Sequence, residues 1–325
     1  MPRTYDTDPM EPRNVIVFGA NGFLGSHMVD QLLRWGHRVT AFDRFSPEKK
    51  NCPAASGNLR RVAGDYRDPE TVRPALQGME VAYNFISAYT PITSWDSPRD
   101  SILQDVLPAL QLFDQCVEQG LAKIVYVSSG GTIYGPRPGL IDEAALPAPF
   151  NPHGICKLTV EYFLNYYRTR SGVATDAYRV GNVFGPRQPL HSAQGVIAVW
   201  MKHILDGKPL DVFGDDTTLR DYLFVQDATF LMGHSLRDVA ASGTYNLGTG
   251  KGVSIVDLLN IFKEVIDMPF ECRLHPRRAS DNTSAVLSSA RLLEHYPDFA
   301  FQDLKAMIRH TWMYVKGTTN RPQRP

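Results

Sequence analysis

The sequence carries no excess of either charge: 34 basic and 34 acidic residues leave a formal net charge of zero. That excludes the clustered basic footprint of a nucleic-acid binder, although a few placed arginines can still hold an anionic ligand. Cysteine is scarce. Cys52, Cys116, Cys156 and Cys272 form no CxxC pair, and none lies near histidine at metal-ligand spacing, so reduced thiols and no metal site are expected. No apolar run reaches the length of a membrane span. The polar, proline-containing stretch Met1 to Asn14 has no signal-peptide core. These absences predict a cytoplasmic protein with neither a membrane nor a nucleic-acid partner.

What is present is alternation. At 325 residues the chain suits one large domain or two closely packed ones. Residues 1–12 and 317–325 have too little apolar content to order themselves and read as tails. Between them, apolar runs predict strands at Val15–Phe18, Arg38–Phe42, Leu59–Ala63, Val81–Ile86, Ile124–Ser128 and Ala174–Arg179. Helical periodicity fits residues 23–35, 69–77, 98–119 and 152–171, and Pro108 should kink the third of these. Such alternation implies an α/β fold, a doubly wound parallel sheet covered on both faces. The later segments are less regular, with helices near 195–206, 254–265 and 303–315. They predict a smaller C-terminal substrate lobe over the carboxyl edge of the sheet. The expected division is 1–182 for the first domain and 183–325 for the lobe, with 223–250 returning to the first domain.

The strongest local signal is Gly19-Ala20-Asn21-Gly22-Phe23-Leu24-Gly25, placed between the first strand and the first helix. Gly19 allows the tight turn, Gly22 lets the backbone approach a pyrophosphate, and Gly25 lets helix and strand pack closely. Asn21, Phe23 and Leu24 lie within the same turn. Asp43 ends the second strand, where a carboxylate accepts hydrogen bonds from the adenosine ribose and repels a 2′-phosphate. This favours NAD as cofactor, with the adjacent Arg44 as the feature that could host the phosphate instead. Asp65 could meet the adenine amino group beside Tyr66, or could cap the helix that starts at Pro69. Ile86, at the end of the fourth strand, Ser87 and Ala88, just past it, and Val180, past the sixth, complete the expected cofactor set together with Lys157.

Further along come Ser128-Ser129-Gly130-Gly131-Thr132-Ile133-Tyr134-Gly135, Asn151-Pro152-His153-Gly154-Ile155-Cys156-Lys157 and Arg179-Val180-Gly181-Asn182-Val183-Phe184-Gly185-Pro186-Arg187-Gln188. Phe213-Gly214-Asp215, Leu219-Arg220-Asp221-Tyr222 and Tyr245-Asn246-Leu247-Gly248 follow. In this order the motifs resemble the UDP-glucose 4-epimerase branch of the extended short-chain dehydrogenases/reductases, over nearly all of residues 13–315. The resemblance implies a Rossmann domain, NAD, a UDP-sugar substrate and a homodimer built on helices 98–119 and 152–171. It assigns Asn182 and Arg220 to the diphosphate-sugar, Val196, Val212 and Phe213 to the surroundings of the uracil, and Arg278 with Asp281 to phosphate and ribose. Guanidinium forks suit phosphate oxygens and a carboxylate suits ribose hydroxyls. Without the resemblance, Arg220 beside Asp221 would read as a surface ion pair. The resemblance also places Ala285 where a bulky tyrosine would restrict the sugar pocket, which implies room for an N-acetyl group.

Family chemistry uses a tyrosine and a lysine four residues apart, plus a serine or threonine at the end of the strand that here reads as Ile124–Ser128. The tyrosine takes the proton of the sugar hydroxyl while hydride leaves for the nicotinamide. Here Lys157 is present, His153 stands at the tyrosine position and Gly130 at the hydroxyl position, with Thr132 the nearest hydroxyl. Three readings stay open. In the first, His153 is the base of a C4 epimerase, neutral near pH 7 from an ordinary pKa of ~6.5. In the second, the protein binds NAD and nucleotide-sugar but turns over little. In the third, His153 serves another reaction such as a reduction. A dehydratase would need an Asp-Glu pair where Gly131-Thr132 stands. Tyr134 reads as a packing residue, and Cys156 lies about 100° around the helix from Lys157.

Overall fold

A computed structural model describes residues 10–47, 50–191, 194–276 and 284–319. Seven strands form the main sheet: β1 (Asn14–Phe18), β2 (Arg38–Asp43), β3 (Leu59–Ala63), β4 (Val81–Asn84), β5 (Lys123–Ser129), β6 (Ala174–Val180) and β7 (Gly243–Leu247). They lie in the order β3-β2-β1-β4-β5-β6-β7, all parallel. The order reverses between β1 and β4, and crevices outside the carboxyl ends of such strands are where doubly wound sheets take ligands. Val15 and Val17 feed the core on one face while Ile16 and Phe18 feed the other, which explains the unbroken apolar run.

The longer helices around the sheet and its companion lobe are α1 (Phe23–Arg34), α2 (Pro69–Leu76), α3 (Leu107–Glu118), α4 (Pro152–Ser171), α5 (Val196–Leu205), α6 (Val225–Met232), α7 (Ile255–Val265) and α8 (Leu304–Thr319). Met28 and Leu32 of α1 share one core with Leu231 and Met232 of α6. Val72, Phe113 and Leu164, from α2, α3 and α4, share the other. Residues 225–247 thus return to the large sheet, α6 against α1 and β7 beside β6. A third core, around Trp200, Phe262 and Trp312, joins α5, α7 and α8. Beside it, the strand Leu219–Phe224 pairs in parallel with Asn182–Phe184 and Ser284–Leu287, and antiparallel with Gly252–Ser254.

Two expectations shift. The fourth strand ends at Asn84, not Ile86, because the Asn84 side-chain oxygen accepts the Ile86 N–H at 2.9 Å and turns the chain out of the ladder. The helix expected over 98–119 is a short turn at Pro98–Ser101, a π-helical turn at Ile102–Val106, and then α3. Pro108 has no N–H to give the Gln104 carbonyl, and the Tyr66 hydroxyl donates to that carbonyl instead, at 2.7 Å.

The sheet also holds a buried ion pair. Lys123 Nζ lies 2.8 Å from Asp176, each side chain 1% exposed, and donates to the carbonyls of Ser235 and Asp238. Asp176 further accepts from Ser235 Oγ and the Gly243 N–H, so the pair joins β5, β6 and β7. Lys123→Met leaves the carboxylate buried without its cation. Urea unfolding should show a loss of about 3–5 kcal/mol; a change below about 1 kcal/mol would refute this role for the pair.

Candidate active site

The turn after β1 is built by backbone contacts that tolerate no side chain. Gly19 has φ 79°, and its N–H donates to the Phe42 carbonyl at 3.0 Å. A Cβ on Gly25 would lie 2.1 Å from the Gly19 carbonyl oxygen, and one on Gly22 would lie 3.0 Å from it. The Asn21 N–H donates to Asp43 Oδ2 at 2.9 Å, so the expected ribose carboxylate is locked to the turn. The buried Asn21 side-chain oxygen accepts the N–H groups of Asn51 and Cys52, pinning that loop to the same turn. Phe23 and Leu24 lean, partly buried, on the core of the smaller lobe. Arg44 is exposed.

Asp65 does not cap the helix at Pro69, one of its two expected roles. Asp68 does, accepting the Glu70 N–H at 3.1 Å. Asp65 instead binds Arg67 at 2.5 Å, and this hydrogen-bonded guanidinium holds its carboxyl down at about 2. Tyr66 is buried with its hydroxyl committed to Gln104. Across the switch point, Ile86 packs on Gly19. Ser87 Oγ donates to the Tyr89 carbonyl at 3.1 Å. The N–H groups of Ala88 and Tyr89 donate to the two oxygens of Asp105, at 2.5 and 3.2 Å. Sequence reasoning missed Asp105; its one signal was an acid set between the apolar Leu103 and Val106. Val180 ends β6, half-buried.

α4 starts where its sequence dictates: the Asn151 side chain accepts the Gly154 N–H at 2.8 Å, and Pro152 occupies the first turn. This sets His153 and Lys157 one turn apart. Lys157 is buried, donates to the Val127 carbonyl at 3.0 Å and lies 4.8 Å from the Tyr126 ring centroid. Burial lowers its pKa, opposed by the negative charge of Asp105. The His153 N–H donates to Ser94 Oγ at 3.2 Å. The imidazole pKa falls to about 3, first through burial and second through the Lys157 charge, while a hydrogen bond to the Tyr89 backbone opposes both. His153 is therefore neutral at pH 7, as expected, but a far weaker base than an ordinary imidazole.

The hydroxyl side of the site is equally altered. A Cβ on Gly130 would lie 2.3 Å from Leu287 Cδ1 and 3.0 Å from the Arg179 carbonyl, so Leu287 fills the space of the expected serine or threonine. Thr132 is buried, and its Oγ1 has no partner among the described residues. Its carbonyl abuts Gly154, where a Cβ would come within 2.5 Å, so Thr132 lies against the start of α4 next to His153. Tyr134 is buried, donating to Asn246 at 2.7 Å and accepting from Arg179 at 2.8 Å. Burial pushes the Cys156 thiol up to about 11, which keeps it protonated.

In the smaller lobe, Asn182 Nδ2 donates to the Asp221 carbonyl at 3.1 Å. Arg220 is half-buried on the strand 219–224, opposite Val253 and Ala285. Its neighbour Asp221 is fully buried, which rules out a surface pair between them. Asp221 accepts instead from the Thr249 hydroxyl and from the N–H groups of Thr249, Gly250 and Leu287. Val196 opens α5, partly buried. Val212 points into the third core, whereas Phe213, on the other face of its strand, stacks on His275 with centroids 4.7 Å apart. Ala285 is a buried strand residue. Arg278 and Asp281 lie outside the described residues.

The model of the NAD dependent epimerase/dehydratase family matches residues 15–248. The chain is 30% identical to the UDP-glucose 4-epimerase of Mycolicibacterium smegmatis over 284 residues, 86% of this chain and 91% of that protein. The crystal structure of the Thermus thermophilus UDP-glucose 4-epimerase in complex with NAD superposes with a TM-score of 0.84 at 30% identity, covering 94% of this chain and 99% of that one. The UDP-N-acetylglucosamine 4-epimerase from Methanobrevibacter ruminantium, in complex with UDP-N-acetylmuramic acid, gives a TM-score of 0.86 at 25% identity, with coverages of 95% and 100%.

The buried histidines set a pH dependence of stability. Burial lowers His153 to about 3, and His27 and His234 to about 4, from an ordinary 6.5. Below 6.5 the unfolded chain binds protons that the native chain refuses, so stability is lost as pH falls from there toward 4. The melting temperature should drop between about pH 7 and about pH 5, and His27→Gln should reduce that drop. An identical drop in the variant would exclude His27 as a source.

Proposed function

This chain belongs to the NAD dependent epimerase/dehydratase family, and on that premise we propose that it is an NAD-dependent nucleotide-sugar epimerase acting at C4 of a UDP-hexose. The observation that carries this reading is the buried Lys157, tied to the Val127 carbonyl near the carboxyl end of β5 and one helical turn from His153. The residues fit the cofactor: the turn from Gly19 to Gly25 leaves a backbone cradle that a Cβ would fill, and Asp43 is fastened to it. The Gly19–Gly25 turn and Asp43 would hold NAD, which would supply a reversible hydride acceptor for the sugar carbon.

In this reading residues 1–182, with 223–250 returning to them, form the cofactor-binding domain, and the rest of 183–325 forms the nucleotide-sugar lobe, with Asn182 at the border between them. Lys157 orients the nicotinamide ribose, and Thr132 Oγ1, buried with an unused hydrogen-bonding capacity, meets the sugar hydroxyl. His153 accepts the hydroxyl proton as the 4-keto sugar forms and gives it back afterwards. Asn182 and Arg220, with Arg278 and Asp281, take the diphosphate and ribose, and Phe213 with Val196 the uracil. The small Ala285 and the similarity to a UDP-N-acetylglucosamine 4-epimerase support a pocket that admits an N-acetyl group. A second reading, a nucleotide-sugar binder with little turnover, is favoured by the weak basicity of His153 and by Leu287 in the space of the missing hydroxyl.

The test is incubation with NAD and either UDP-glucose or UDP-N-acetylglucosamine, followed by separation of the C4 epimers. Conversion is expected, with the rate near constant from about pH 8 to about pH 5 because His153 stays neutral throughout. Lys157→Met should lower kcat by about 100-fold or more. Tight binding of both sugars without conversion would establish the second reading instead.

Assembly follows from exposed apolar side chains. Leu103, Leu107, Ile155, Phe163 and Tyr166, each 37–50% exposed, lie on the paired helical segments before and within α3 and α4. An apolar face of this kind fits a homodimer in the cytoplasm. Sedimentation should give a dimer for the parent and a monomer for Ile155→Lys; a dimer in both would exclude this face.

A further inference from the structure

A cavity of about 190 Å³ lies between α1, the turn at Pro186 and Arg187, α6 and α8. None of the residues assigned above to NAD, to the nucleotide-sugar or to proton transfer lines it. Its wall brings several donors together beside one carboxylate, Asp30. Gln31 is 2% exposed, and its side-chain oxygen accepts Arg34 Nη1 at 2.8 Å. Its amide nitrogen, equally buried, has no partner among the described residues. Arg187 gives one nitrogen to Asp30 at 2.5 Å, while its buried Nη1 also lacks a partner among them.

Arg187 is held there against its backbone preference. Its φ is 66°, and Phe45 is the other non-glycine with positive φ among the described residues. Such a conformation persists where the surroundings over-determine it, and these clamps often serve a ligand. The surroundings here are the Asp30 pair and the bond between His27 Nε2 and the Pro186 carbonyl, 2.9 Å. His310, which completes the wall with Tyr314, has a pKa lowered by burial, and His27 falls to about 4. The charged lining at neutral pH is therefore Arg34 and Arg187 against Asp30.

We infer that this cavity binds a compact oxyanion, a phosphate or carboxylate group, held by Arg34, the free nitrogen of Arg187 and the amide nitrogen of Gln31. Guanidinium and amide N–H groups converge as donors only, and an oxyanion supplies acceptors in several directions at once. The volume admits such a group with a small substituent.

The experiment uses the full chain with NAD and UDP both saturating, so that neither diphosphate site competes. Inorganic phosphate and, separately, malonate are titrated at constant ionic strength while the melting temperature is followed. A saturating rise with at least one anion is expected, and which anion acts separates a phosphoryl from a carboxylate source. Arg34→Gln, at an exposed position, and Gln31→Leu, which keeps the volume, should each weaken that anion by about tenfold or more. NAD affinity should stay at the parent value in both. No saturable rise with either anion overturns the site. So does a rise that persists unchanged in either variant, since it would report surface charge and not this cavity.

Discussion

Helix α1 runs so close to the end of β1 that a methyl group on Gly25 would sit 2.1 Å from the Gly19 carbonyl oxygen. That backbone-to-backbone approach places the helix N-terminus at the switch point of the sheet. It is possible only because Gly19 turns with positive φ and Gly25 has no side chain. The consequences spread outward by hydrogen bonds. Asn21 joins the turn to Asp43 on one side and to the loop at Asn51 and Cys52 on the other. Ile86, across the switch point, closes over Gly19. The cofactor cradle is thus one mechanical unit drawn from four segments.

The second constraint is a buried ammonium. Lys157 has lost its water and keeps a carbonyl, an aromatic face and the field of Asp105 in exchange. Asp105 in turn holds the N–H groups of Ala88 and Tyr89, and it is brought there by the π-helical turn that precedes Pro108. The sign of the Lys157 charge matters for the residue one turn before it. A positive neighbour favours a tyrosinate, which is negative, and disfavours an imidazolium, which is positive. The same lysine that would strengthen a tyrosine as a base weakens His153, and burial adds to the effect. Gly130 follows a parallel logic: the hydroxyl is gone and Leu287 has taken its volume, so the two positions form a packed pair.

Much of this was legible in the chain because it is local. Strand and helix alternation, the glycine spacing, the Asn151-Pro152 helix start and the four-residue interval from His153 to Lys157 each lie within one element or one turn. The rest was not. Asp65 looked like a helix cap because it stands near Pro69, yet Asp68 is nearer and takes that role. Arg220 and Asp221 looked like a surface pair because they are adjacent, yet strand geometry sends neighbouring side chains to opposite faces. Asp221 is then buried among donors from residues 249, 250 and 287.

By itself the sequence determined the fold class, the place of the glycine turn and which residues are candidates for the site, because periodicity and short-range spacing are properties of consecutive residues. Only the tertiary structure decided how those groups behave. The low basicity of His153, the occupation of the Gly130 space by Leu287 and the strained Arg187 beside Gln31 all arise from partners far apart in sequence. Burial and close contact set a pKa or fill a volume, and neither exists until the segments that supply them have been brought together.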